Sequence, residues 1–148
     1  MSKVESLTFA TTIEVRDSCL CLHVQRAARA LARRFDEAFR PLGLTNGQFS
    51  LLMSLNRPEP ARMRDVASLL AMDRTTLTAN LKPLERRCLV EIAADPADRR
   101  SRLLVLTDAG RELLSAAVPI WRSTHASLDA LTTASDRDAL LGNLRAMS

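Results

Sequence analysis

The chain has 148 residues, 47% hydrophobic but only 3% aromatic, with a net charge of +4 and a pI near 9.6. That length predicts one domain with enough chain for a real core, and the excess of Leu and Ala over aromatics favours helix. No apolar run approaches the roughly 20 residues that span a bilayer. No secretory leader is visible, and three cysteines, an odd number, argue for a reducing cytoplasm rather than a secreted disulfide framework.

Residues 1–12 are small and polar and read as a loose arm, with Thr11-Thr12-Ile13-Glu14 as a capping box for a first turn. From Asp17, Leu20, Val24, Ala28, Leu31, Phe35, Phe39 and Leu42 recur at helical spacing until Pro41 and Gly43 end the helix. Arg26, Arg29, Arg33 and Arg34 colour its polar side, which reads as a solvated face or as an anchor for an acidic ligand. Cys19-Leu20-Cys21-Leu22-His23 resembles a metal cluster at first sight. Residues two apart on a helix point about 200° apart, so Cys21 cannot join Cys19 and His23 on one ion. No metal is expected.

Thr45-Asn46-Gly47-Gln48 is a capping box for a second helix through Leu51, Leu52 and Leu55, stopped by Arg57-Pro58-Glu59-Pro60. The segment 64–71 carries Val66, Leu69 and Leu70 at helical spacing, and Met72-Asp73 makes a tight break. Asp73 is a good N-cap for a helix over 74–87, because its carboxylate can accept the free N–H groups of the next turn. Leu77, Leu81 and Leu84 share one face of that helix and point inward. The other face shows Arg74, Thr75, Thr76, Thr78, Lys82 and Arg86, whose hydroxyls and cations suit base edges and phosphates in a major groove. A short helix, a tight turn and a polar, basic second helix form the helix-turn-helix pattern.

Two β-compatible runs, 89–94 and 102–106, flank the turn-rich Asp95–Ser101, giving a hairpin whose tip carries Arg99 and Arg100. A basic hairpin beside such a helix is a wing, and an arginine there can enter a minor groove. Thr107 then caps a long helix containing Leu113, Leu114, Val118, Trp121, His125 and Leu128, bent at Pro119. Ser135-Asp136-Arg137-Asp138 opens a short last helix with Leu140, Leu141 and Leu144. These terminal helices carry more apolar surface than a small winged lobe can cover.

The motifs Asp73-Arg-Thr-Thr-Leu-Thr78, Leu84-Glu-Arg-Arg-Cys-Leu-Val90, Asp98-Arg-Arg-Ser101 and Leu106-Thr-Asp-Ala-Gly110 resemble the signature of the MarR family of bacterial winged-helix transcription regulators. The resemblance runs from about Ser18 to Met147. It implies an α+β, mainly α, single domain, with a winged helix-turn-helix over 45–110 and dimerisation helices over 1–44 and 111–148. It further implies a homodimer on a pseudo-palindromic operator in double-stranded DNA, usually repressing, released by a small ligand or by oxidation. Carried over by position, Thr75, Thr76, Thr78 and Lys82 face bases or phosphates, and Arg100 is the minor-groove arginine with Asp98 orienting it. The ligand cleft implied by the resemblance draws on His23, Arg26, Phe49 and Met53, which suits an aromatic or acyl anion.

Two departures stand out. Cys88 occupies the position of the family's helix-ending glycine, and Pro83 sits inside the helix, where a kink is expected. Cys21 matches the reactive cysteine of the hydroperoxide-sensing branch, but Gln25 and Phe35 stand where that branch has assisting tyrosines. A thiol-based peroxide sensor through Cys21 is one alternative, and a helical adaptor that does not bind DNA is another. No Gly-rich phosphate loop, Gly-x-Ser-x-Gly or His-Glu-x-x-His occurs, so neither enzymatic activity nor a cofactor is expected. No membrane partner is expected either.

Overall fold

The computed structural model describes residues 6–148, apart from the side chains of Ala134 and Ser135. Helix α1 (Phe9–Ser18) starts on Thr8, whose hydroxyl accepts the Thr11 N–H, and it buries no residue. Helix therefore begins inside the segment read as a loose arm, with Thr8 rather than Thr11 as its cap; residues 1–5 of that arm lie outside the described residues. At Cys19 the backbone turns extended (φ −70°, ψ 106°), which breaks the helix read as continuous from Asp17, and α2 runs Leu20–Phe39. A 3₁₀ turn at Arg40–Leu42 accommodates Pro41, and Gly43 follows in the left-handed region.

The expected capping box forms in full at the start of α3 (Asn46–Ser54): Thr45 and Gln48 each accept the other's backbone N–H. The Asn46 N–H also donates to the Asp36 carboxylate at 2.6 Å, which bolts α3 onto α2. Rings stack across this joint, with Phe39 and Phe49 centroids 4.8 Å apart. The helix-turn-helix follows as α4 (Met63–Leu69) and α5 (Arg74–Arg86), and Val66, Leu77, Leu81 and Leu84 are fully buried beneath it. Leu69, which shares the helical spacing of Val66 and Leu70, is 62% exposed and borders a concave site beside α3. Helix α5 runs on through Pro83 without a break.

The sheet has three antiparallel strands where two were expected. Strand β1 (Ala61–Arg62) pairs with β3 (Asp98–Leu106), which pairs with β2 (Val90–Asp95), in the order β1-β3-β2. Helix α6 (Asp108–Ala126) starts on Thr107 as expected and continues through Pro119, while α7 (Ala134–Ala146) is capped by Thr133 rather than Ser135. Helices α2, α3 and α6 pack together, and α3 also packs on α4, the first helix of the helix-turn-helix.

Three helix ends share one geometry. After Phe39, the Leu44 N–H reaches back to Phe39 O; after α4, Met72 N–H reaches Ala67 O; after α5, Leu89 N–H reaches Leu84 O. Each is a Schellman closure, which needs one left-handed residue. Gly43 supplies it without strain (φ 63°), whereas Ala71 (φ 50°) and Cys88 (φ 57°) hold it against the clash of a Cβ. The Cys88 side chain is exposed and its removal costs no packing. Cys88→Gly is therefore expected to stabilise the fold by about 0.5–1 kcal/mol, after allowance for glycine's freer unfolded chain. Urea midpoints of the two proteins measure this, and an unchanged midpoint would show that the closure is not strained.

Candidate nucleic-acid interface

The buried leucines fix the rotation of α5, and that rotation decides what faces out. Arg74, Thr75, Thr78 and Lys82 come together along one shallow exposed groove. Thr76 and Arg86, predicted with them, do not line it. Thr76 belongs to the cap: its backbone N–H donates to Asp73 Oδ1 at 2.7 Å and its hydroxyl to Oδ2 at 2.9 Å. These two bonds hold the Asp73 carboxyl below the usual carboxylate range. The Thr78 hydroxyl donates to Arg74 O at 2.8 Å, so its free lone pairs face outward as acceptors only. Arg74, at the first position of α5, sets a guanidinium beside the Asp73 carboxylate that caps this helix end.

The wing is shaped by register. Ala94 pairs with Arg102 and Asp95 with Asp98, so one step on β2 opposes four on β3, and residues 99–101 bulge out of the ladder. The turn itself is only Pro96-Ala97, and Arg99 and Arg100 ride on the bulge rather than on the hairpin tip. The resemblance implied that Asp98 orients the Arg100 side chain. The contact found is to backbone: Asp98 Oδ1 accepts the Arg100 N–H at 3.0 Å, so Asp98 sets the bulge from which the guanidinium projects. The Arg74 guanidinium reaches Arg100 O at 3.5 Å and links helix to wing.

The far end of α5 is fastened at two points. Arg87 donates to Gly43 O at 2.7 Å and Leu42 O at 3.3 Å, tying α5 to the end of α2. The Thr107 hydroxyl donates to Cys88 O at 2.7 Å and accepts the Gly110 N–H, while the Thr107 N–H donates to Leu89 O. These bonds join α5 to the end of α2 and to the start of α6. Sequence reasoning missed Arg87 because its partners lie more than forty residues away.

A second concave site of about 640 Å³ opens between α3, α4 and α6, walled by Phe49, Met53, Leu69, Val118 and Trp121, with Arg122 as its cation. Phe49 and Trp121 stack at 6.5 Å and Trp121 lies 4.9 Å from His125. Of the four predicted ligand residues, Phe49 and Met53 are here, and His23 and Arg26 are not. His23 Nε2 bonds Arg16 O at 3.0 Å beside the α1–α2 break, and Arg26 is exposed on α2 outside the cleft wall. Cys21 lies elsewhere again, at an apolar groove with Val24, Leu141, Leu144 and Met147, where its Sγ accepts from Gln25 Nε2 at 3.1 Å. Among the described residues, no helix is long and apolar enough to cross a membrane.

Comparison with known proteins agrees with this geometry. A sequence model of the MarR family matches residues 42–101. The HTH-type transcriptional repressor NicR of Pseudomonas putida is 33% identical over 104 residues, which are 70% of this chain and 66% of NicR. The chain thus spans about two thirds of the length of the curated relatives it matches. The transcriptional repressor CouR, solved on a 23-mer DNA duplex, superposes with a TM-score of 0.78 at 31% identity, covering 97% of this chain and 99% of CouR. BpsR of Bordetella bronchiseptica, whose DNA binding is regulated by 6-hydroxynicotinic acid, superposes with a TM-score of 0.77 at 29% identity, covering 86% of this chain and 91% of BpsR.

Proposed function

This chain belongs to the MarR family, and we propose that it is a cytoplasmic transcription regulator that binds operator DNA as a homodimer, represses, and is released by a small aromatic or acyl anion. The observation that carries the DNA reading is the pairing of the Arg74–Thr75–Thr78–Lys82 groove with the arginine bulge of the wing through the Arg74–Arg100 contact. A helix in the major groove and an arginine in the adjacent minor groove use both at once. Its action is binding rather than catalysis.

The residues 1–44 and 111–148 supply the dimer interface in this reading. Helix α1 buries nothing, and Leu20, Leu31, Leu140 and Leu141 are exposed on the terminal helices. Two copies joined there would set their α5 helices about 34 Å apart, one turn of duplex. A salt-dependent mobility shift on the region upstream of the protein's own coding sequence tests the whole reading. A helical adaptor would give no shift at any salt concentration.

For the effector, the α3–α4–α6 cleft offers an aromatic wall with one guanidinium, which suits an aromatic carboxylate. Closure around such a ligand moves α6, and Thr107 passes the movement to α5. A tenfold loss of operator affinity needs about 1.4 kcal/mol of preference for the released state. Arg122→Met is expected to weaken binding of the releasing acid by about 10- to 100-fold, the worth of one charge-assisted bond, while leaving operator affinity without ligand unchanged. Titration of wild type and variant with 6-hydroxynicotinic acid and related aromatic acids measures this. Release by a peroxide that disappears in Cys21→Ser would replace the acid with oxidation.

A further inference from the structure

A fourth concavity, of about 400 Å³, lies where the wing, β1 and the starts of α4 and α5 meet. Arg62, Arg64, Arg74, Arg100 and Arg102 line it against only two carboxylates, Asp95 and Asp98. Among the described residues, Arg74, Arg100 and Arg102 have no ion-pair partner, and Arg64 has only its neighbour Asp65 at 3.6 Å. Guanidinium groups gathered on a concave wall repel one another and focus a positive potential outward, so the wall is at its most stable with an anion against it.

Asp95 is the unusual member. It is 5% exposed, its Oδ1 accepts the Ala97 N–H of the wing turn at 2.9 Å, and its Oδ2 accepts no hydrogen bond. Arg62 Nε stands 3.6 Å from that Oδ2, beyond hydrogen-bond reach but close enough for charge to hold the arginine over the cleft. The arginines come from four elements and surround a space that adjoins both the α5 groove and the Arg100 bulge. A small carboxylate would engage one or two of them, whereas a continuous strand of phosphodiesters can meet several.

We propose that this cleft is a phosphodiester-binding site in which Arg62, Arg64 and Arg102 grip the sugar-phosphate strand running between the two grooves, with Asp95 as the positioning residue for Arg62. The proposal rests on the reading of the protein as a DNA-binding regulator and extends its footprint beyond α5 and the wing arginines. These contacts read no bases, so they act equally on every sequence.

The test is fluorescence anisotropy with the full chain on an operator duplex and on a scrambled duplex across a salt series. Removing one phosphate contact lowers the slope of log K against log salt by about 0.9. Arg64→Gln, a change at a side chain 74% exposed and safe for folding, is expected to lower it by about one such step. Affinity for the two duplexes should fall by the same factor. Arg62→Gln and Asp95→Asn should each lower the slope by about one step, and the double variant by no more than either alone, because both remove the same contact. An unchanged slope in Arg64→Gln and Arg62→Gln, or a weakening confined to the operator, would overturn the site. A free polyanion is the rival occupant: tripolyphosphate that binds the DNA-free protein through these arginines, with the salt slope untouched by their substitution, would overturn the DNA assignment. Wild-type protein that binds neither duplex would instead bring down the regulator reading beneath it.

Discussion

Gly110→Ala is expected to destabilise the fold by about 3 kcal/mol, a large part of the roughly 5–15 kcal/mol that holds a domain of this size together. A Cβ built on Gly110 lies 2.4 Å from Leu89 O and 2.6 Å from Leu106 Cδ1, both inside the closest approach of real atoms. The leucine tip can swing away. The carbonyl cannot, because Leu89 O accepts the Thr107 N–H at 3.1 Å and Leu89 itself closes the end of α5. Relief must come from moving α6 off β2, which pulls apart the Thr107 fastening. Urea melts measure the destabilisation, and the same substitution at Gly47, in α3 and outside the terminal helices, provides the control. A Cβ there meets only Thr45 Oγ1, at 4.0 Å, so Gly47→Ala should gain stability through helix propensity. A Gly110→Ala variant within about 1 kcal/mol of wild type would show that α6 can slide freely on the lobe, and the proposed route from ligand to DNA would lose its rigid link.

What the sequence disclosed and what it hid divide along one physical line. Thr45, Asp73 and Thr107 were legible as caps because a cap is completed within three residues. Leu77, Leu81 and Leu84 were legible because one helix face repeats locally. The break at Cys19 escaped because apolar spacing runs on across it, and β1 escaped because two residues carry no pattern and gain a strand only by pairing with β3. The bulge at residues 99–101 depends on the register of two strands, so Arg100 could be placed in the hairpin from sequence but not on its bulge. Of the residues lining the concave site beside α3, Phe49 and Met53 could be named from sequence and Arg122 could not. Which helix offers the cation is decided by how α6 crosses α3, a tertiary fact that left His23 and Arg26 outside.

Arg100→Ala is expected to weaken operator binding by about 10- to 100-fold, the range for one arginine that reads DNA, without loss of stability. The side chain is exposed, and the two bonds that shape the bulge involve the Arg100 backbone, as acceptor from Arg74 and as donor to Asp98. Both survive truncation, so the variant removes the guanidinium and little else. Two roles can be told apart in this one protein. A guanidinium inside a narrow minor groove gains from the enhanced negative potential of A·T-rich DNA, so the weakening should be largest on operators with A·T-rich flanks. A guanidinium that only grips phosphate would cost the same on every flank, as predicted for Arg64. Arg100→Lys sharpens the contrast, because an ammonium is more strongly hydrated and enters a narrow groove less readily, yet serves a phosphate well. Recovery of full affinity by lysine on all flanks would therefore place Arg100 on the backbone, and recovery only on G·C-rich flanks would place it in the groove.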